Sequence, residues 1–157
     1  MGEHGEVTGT RARIKDVIID CRDPERLGSF WAEALGRPIA ARIGPYVWLT
    51  RGEGPGVGFQ RAEQPKAGKN RIHLDLGSPD PAAEQKRLEA LGARVLPEFA
   101  AGGFLVMADP EGNEFCVIPE EPFELDDDGR AHYMDDGGGS GSGGSGDEGY
   151  GAAPAAS

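Results

Sequence analysis

The run His73-Leu74-Asp75-Leu76 alternates polar and apolar, and on a strand that alternation sets an imidazole and a carboxylate on one face, where they can act as general base and acid. A near-repeat in the chain draws in further groups. Asp23-Pro24 returns as Asp80-Pro81 at an offset of 57, Leu35-Gly36 as Leu91-Gly92 at 56, and Phe59-Gln60 as Phe115-Cys116 at 56. Carried along the flanking segments, the repeat matches Asp16 with His73 and Gln60 with Cys116. Plainer roles stand beside the chemical ones. A hydrogen bond between Asp16 and His73 satisfies both groups, and Cys116, with no basic cluster near it in sequence to favour a thiolate, reads as a small buried side chain.

Each copy of the repeat is long enough for a strand, a helix and further strands, so the chain reads as two βαβββ modules, residues 13–63 and 70–119, within a domain of residues 13–121. In the first module, residues 14–21 are rich in Val and Ile and read as a strand buried on both faces. Asp23 is a helix N-cap, Pro24 suits the first helical position, and Leu27, Phe30, Trp31, Ala34 and Leu35 form one apolar stripe with Trp31 in the core. Gly36 stops that helix, and strands are expected at residues 39–43, 46–50 and 56–61. Strand parity alone leaves open whether Trp48, with Tyr46, or Val47 turns toward a ligand. The second module repeats the order: a strand at 71–76, a helix at 81–91 capped by Asp80 and stopped by Gly92, and strands at 94–98, 103–108 and 113–118. Its helix carries a thinner apolar stripe (Ala83, Leu88, Leu91), which predicts a more exposed helix.

The ends read differently. Residues 1–12 are polar and without period, a loose leader, and residues 122–157 are acidic and rich in Gly and Ser, too poor in apolar groups to offset the entropy of ordering. Of the net charge of −11, residues 120–157 supply −9, with ten acidic groups against Arg130 alone. The low isoelectric point therefore describes the tail. Basic residues are scattered, which argues against a nucleic-acid partner, and no apolar run approaches the ~20 residues of a membrane span. With neither a signal-peptide pattern nor more than two cysteines, Cys21 and Cys116, the expectation is a cytoplasmic protein with reduced thiols.

The two modules, the Phe30-Trp31 helix, the His73-Leu74-Asp75-Leu76 strand and the turn and strand Asp109-Pro110-Glu111-Gly112-Asn113-Glu114-Phe115 together resemble the vicinal oxygen chelate superfamily. This group holds glyoxalase I, bleomycin-resistance proteins and extradiol dioxygenases, and the similarity is greatest to its small glyoxalase-like members. The resemblance implies an α+β fold in which the modules form one curved mixed sheet or cup with helices outside, a small-molecule ligand, and a homodimer. In metal-dependent members the four matched positions hold His and Glu or Gln. Here they are Asp16, Gln60, His73 and Cys116, so Asp stands where His is usual and Cys where Glu is usual. A hard ion such as Mg, Mn or Fe suits Asp16, His73 and the Gln60 carbonyl, whereas zinc suits Asp16, His73 and a Cys116 thiolate with a position open for water or substrate. Two functions follow from the resemblance. One is a metal-dependent lyase, isomerase or dioxygenase, in which the ion polarises vicinal oxygens, with His73 and Asp75 as the acid and base if no ion is bound. The other is a non-catalytic binder that sequesters a drug or metabolite, favoured by the loss of two usual ligands. Trp48 is the candidate pocket residue in either case.

Overall fold

The computed structural model describes residues 11–102, 105–120, 123–125, 127 and 131–133. The chain divides into two compact units, residues 1–64 and 65–157. Among the described residues no helix is long and apolar enough to cross a membrane.

The first unit runs β1 (Asp16–Cys21), α1 (Pro24–Leu35), β2 (Ile39–Ile43), β3 (Tyr46–Leu49) and β4 (Gly56–Arg61). Asp23 starts the helix where its carboxylate accepts the Arg26 backbone N–H at 3.1 Å, and Gly36 ends it in the left-handed region at φ 64°, with its N–H donating to the Ala32 carbonyl. The strands form a mixed sheet in the order β1-β4-β3-β2, with β1 parallel to β4 and the other pairs antiparallel. Helix α1 lies on one face of this sheet, against β2, β3 and β4. Leu27, Phe30 and Trp31 are buried there with Val47, Leu49, Val57 and Phe59, and the Phe30 and Trp31 rings meet edge to face at 5.3 Å. Gly28 allows the close approach, since a Cβ on it would stand 2.9 Å from Val47 Cγ1.

Strand β1 departs from expectation. It begins at Asp16 and is not covered on both faces: Cys21 is buried while Ile18 is 39% exposed and Asp20 is exposed. Its Val and Ile content reflects preference for the pleated conformation rather than double burial, because α1 covers one side only.

The second unit repeats the plan with β5 (Leu74–Ser78), α2 (Pro81–Leu91), β6 (Arg94–Val95), a 3-10 turn (Pro97–Gly102), β7 (Leu105–Ala108) and β8 (Glu114–Pro119). Its sheet order, β5-β8-β7-β6, is that of the first unit, with β5 parallel to β8. Asp80 accepts the Ala83 N–H at 3.1 Å, and Gly92 takes φ 117°. As expected from its thin stripe, α2 buries Leu88 alone among its residues. Two strands differ from the sequence reading. β5 starts at Leu74 rather than residue 71, and β6 is cut to two residues because the chain turns into the 3-10 segment at Pro97, which has no N–H for the ladder. Asp109, 3% exposed, holds the turn before β8 by accepting the N–H groups of Glu111 and Asn113 at 3.0 Å each.

The ladders thus give two four-stranded mixed sheets, one per module, and an α+β fold. Two further strands, β9 (Phe123–Leu125) and β10 (Ala131–Tyr133), pair antiparallel within the segment read from sequence as loose tail. The remainder of the expected tail, and residues 1–10 of the expected leader, lie outside the described residues.

Candidate functional site

With the helix on one face of each sheet, the chemistry-bearing side chains fall on the other. In the first unit, alternation from the buried Val47 and Leu49 puts Tyr46 and Trp48 on the open face, which settles the parity left undecided by the sequence. Their rings stack at 6.2 Å and 22°. Trp48 lies flat over Gly58 of the neighbouring strand, where a Cβ would stand 2.7 Å from Trp48 Cε3, and Ile18 occupies the next position across the ladder. The same face carries Asp16 opposite Gly56 and Asp20 opposite Gln60. Arg51 takes Asp16, with Nη2 2.5 Å from Oδ1. The Asp20 carboxylate makes no hydrogen bond or ion pair among the described residues, its backbone lying in the β1–β4 ladder.

Asp16 and Gln60 therefore stand at positions four residues apart along the β1–β4 ladder, roughly 13 Å at the usual strand rise, rather than side by side. The match of Gln60 with Cys116 also shifts. By the offset of 57 that relates β1 to β5, Asp75 corresponds to Ile18; Ile18 stands opposite Gly58, whereas Asp75 stands opposite Cys116. The closing strands are related by 58 residues, not 56. A slip of two keeps every side chain on its face but makes Gly58, not Gln60, the counterpart of Cys116.

In the second unit the open face gathers His73, Asp75 and Cys116. Asp75 and Cys116 are ladder partners, His73 Nε2 is 3.3 Å from Asp75 Oδ1, and one ligand atom from each of the three lies within 4.8 Å of the others. His73 and Asp75 are exposed, and Cys116 is half-buried. Burial, then the charge of Asp75, then a hydrogen bond from the thiol to that carboxylate push the Cys116 pKa up to about 11, with the Lys69 ammonium opposing. The thiol form of Cys116 is thus favoured at neutral pH, and the side chain is half-buried where the sequence suggested a buried one. A carboxylate two residues earlier on the same strand is already engaged. Glu114 accepts the Lys66 ammonium and the Asn70 N–H, each at 3.0 Å. Burial is the largest single influence and works to raise its pKa, but the Asn70 N–H, the Lys66 ammonium and the backbone N–H of Glu114 itself together hold the carboxyl below its ordinary range.

The sequence reading named His73, Asp75 and Cys116 but did not join Asp75 to the metal donors, and it missed Arg51, Lys66 and Asn70. Asp75 was legible in principle, because parity with His73 already put it on the right face. The others lie in connections, where no periodicity reports on direction. For a divalent ion, the described residues offer imidazole nitrogen, carboxylate oxygen and thiol sulfur in one cluster, a donor set that fits a borderline ion better than a hard one.

Comparison with known proteins agrees with this architecture. The model of the glyoxalase-like domain family matches residues 16–118. No curated protein matches. Among solved structures, a possible glyoxalase from Bacillus cereus is 16% identical with a TM-score of 0.55, covering 69% of this chain and 99% of its own. A glyoxalase/bleomycin resistance protein/dioxygenase family enzyme from Burkholderia phytofirmans PsJN is 20% identical with a TM-score of 0.55, over 69% and 98%. A fosfomycin resistance protein from Mesorhizobium loti is 15% identical with a TM-score of 0.54, over 67% and 89%. At these identities the likeness speaks to fold, while the family match spans most of the chain, so this protein belongs to the glyoxalase-like domain family.

Proposed function

We propose that this protein binds a small planar organic molecule on the open face of its first sheet, as a sequestering protein of the glyoxalase and bleomycin-resistance type. The observation that carries the reading is Trp48: an indole held flat by the bare backbone of Gly58, stacked with Tyr46 and bordered by the exposed Ile18. Such a surface suits an aromatic ring system, and the exposed carboxylate of Asp20 at its edge suits a cationic or N–H donor substituent. Asp16, where the superfamily's metal-dependent members usually have His, is engaged by Arg51, which weighs toward binding over metal chemistry in this unit.

The test is calorimetric titration of the full chain with planar cations (ethidium, thioflavin T) and with the small anion fosfomycin. Micromolar binding of a planar cation, weakened about tenfold in Trp48→Ala, supports the proposal, that factor corresponding to the ~1.4 kcal/mol expected of one aromatic stack. Binding of fosfomycin alone, or of no planar probe, would overturn it. A second reading, metal-dependent lyase, isomerase or dioxygenase chemistry, draws on the His73, Asp75 and Cys116 cluster. Turnover that depends on an added ion and is lost in His73→Ala would favour it.

A further inference from the structure

We infer, building on the stacking surface proposed above, that the molecule held on the first sheet is a planar heterocycle of the 2-amino-4-oxopyrimidine class, the ring shared by guanine and the pterins. Cross-strand pairing fixes which side chains stand abreast on the open face. Ile43 pairs with Tyr46, Tyr46 with Gln60 and Gln60 with Asp20, which makes one row across all four strands. The adjoining row, two residues along each strand and about 6.6 Å away, holds Ala41, Trp48, Gly58 and Ile18. The second row is flat and apolar, and the first sets three polar groups along its edge. Among the described residues, the Asp20 carboxylate, the Gln60 amide and the Tyr46 hydroxyl make no hydrogen bond, whereas Asp16 is taken by Arg51 and Arg42 by Glu25.

The order of these groups selects the ring. A carboxylate accepts two N–H groups set side by side, and a primary amide donates as well as accepts. Neighbouring strands lie about 4.8 Å apart, so Asp20 and Gln60 together complement a ring edge that presents an exocyclic amine, a ring N–H and a carbonyl in succession. The amine and the ring N–H go to Asp20, and the carbonyl accepts from the Gln60 amide. The 2-amino-4-oxopyrimidine ring has that edge, and its face covers the Trp48 indole in the adjoining row with Ile18 at its flank. An adenine ring would set a lone-pair nitrogen against the Asp20 carboxylate. A 4-oxo ring without the amine would leave that carboxylate with one donor instead of two.

Calorimetric titration of the full chain with guanosine, inosine and adenosine tests the assignment. Guanosine should bind at least tenfold more tightly than inosine, which lacks the exocyclic amine, and than adenosine, because a charge-assisted hydrogen bond is at stake. Asp20→Asn should remove the preference for guanosine over inosine with the far-ultraviolet circular dichroism unchanged. Gln60→Ala should weaken both of these nucleosides by similar factors, since both carry the carbonyl. Trp48→Ala should weaken both about tenfold and leave their ratio as it was. Guanosine binding no tighter than inosine, or a preference that survives Asp20→Asn, would overturn the assignment. Trp48-dependent binding of ethidium without discrimination among the nucleosides overturns the ring class alone, whereas no binding of any planar probe overturns the stacking surface with it.

Discussion

Replacing Asp75 by Asn should speed alkylation of Cys116 at neutral pH. The thiol is raised from 9.0 to about 11, so its thiolate is depleted about 100-fold, to roughly one molecule in 4,000 at pH 7.4. A more basic thiolate is also more nucleophilic, and a Brønsted coefficient of about 0.4–0.5 returns roughly six- to tenfold of the loss. The native protein should therefore react with iodoacetamide about 10- to 15-fold more slowly than a free cysteine, before any steric effect of its half-buried position. Burial is the largest cause of the shift and survives the substitution, whereas the carboxylate's charge and its hydrogen bond are removed. Asp75→Asn should thus react faster than the native chain and still more slowly than a free thiol. The sign of the pH dependence follows: because the folded-state pKa is raised, the native rate should keep climbing through pH 10 instead of levelling near 9. Peptide mass spectrometry of the metal-free chain separates Cys116 from the buried Cys21. Native Cys116 reacting at the free-thiol rate, or an Asp75→Asn chain that reacts no faster, would refute the coupling.

Three further outcomes are expected. Gly28→Ala should destabilise the first unit in urea by up to ~2 kcal/mol, because overpacking against Val47 Cγ1 at 2.9 Å (about 1–3 kcal/mol) exceeds the helical gain of about 0.5–1 kcal/mol, and in a Val47→Ala background it should become neutral or stabilising. Glu114→Gln should cost about 1–3 kcal/mol at pH 7 by weakening the contacts with Lys66 and Asn70. Since the Glu114 pKa is depressed on folding, its contribution is present above its unfolded value near 4.5 and lost on acidification through the folded one, so native and variant stabilities should converge in urea titrations toward pH 3. Gly58→Val should lift Trp48 off the sheet, changing the near-ultraviolet dichroism and weakening planar-cation binding about tenfold in calorimetry while α1 and its buried face persist.

The helices were legible in the sequence because their signals are local. Asp23-Pro24 and Asp80-Pro81 start them, Gly36 and Gly92 stop them, and the Leu27, Phe30, Trp31 stripe marks the buried side. The module order followed from the repeat. Register did not, because Phe59 and Phe115 look equivalent by residue type yet oppose Ile19 and Leu74, which sit two residues out of step between the modules. That slip separated Gln60 from the place of Cys116 and joined Asp75 to it. The burial of Val47 and the openness of Trp48 were likewise undecidable from a four-residue strand with apolar residues on both sides. Where Arg51 and Lys66 reach is decided by loop geometry, which leaves no periodic trace.

The central claim, a planar-ligand surface on the open face of the first sheet, is tested most directly by two-dimensional proton–nitrogen NMR of the full chain titrated with ethidium. The account predicts that the Trp48 indole N–H and the backbone amides of Ile18, Asp20, Gly58 and Gln60 shift with a common saturable dependence, while the indole N–H of Trp31, a buried residue of α1, does not. Shifts confined to α1, to the second unit or to the acidic tail, or no shift at millimolar ethidium, would contradict it.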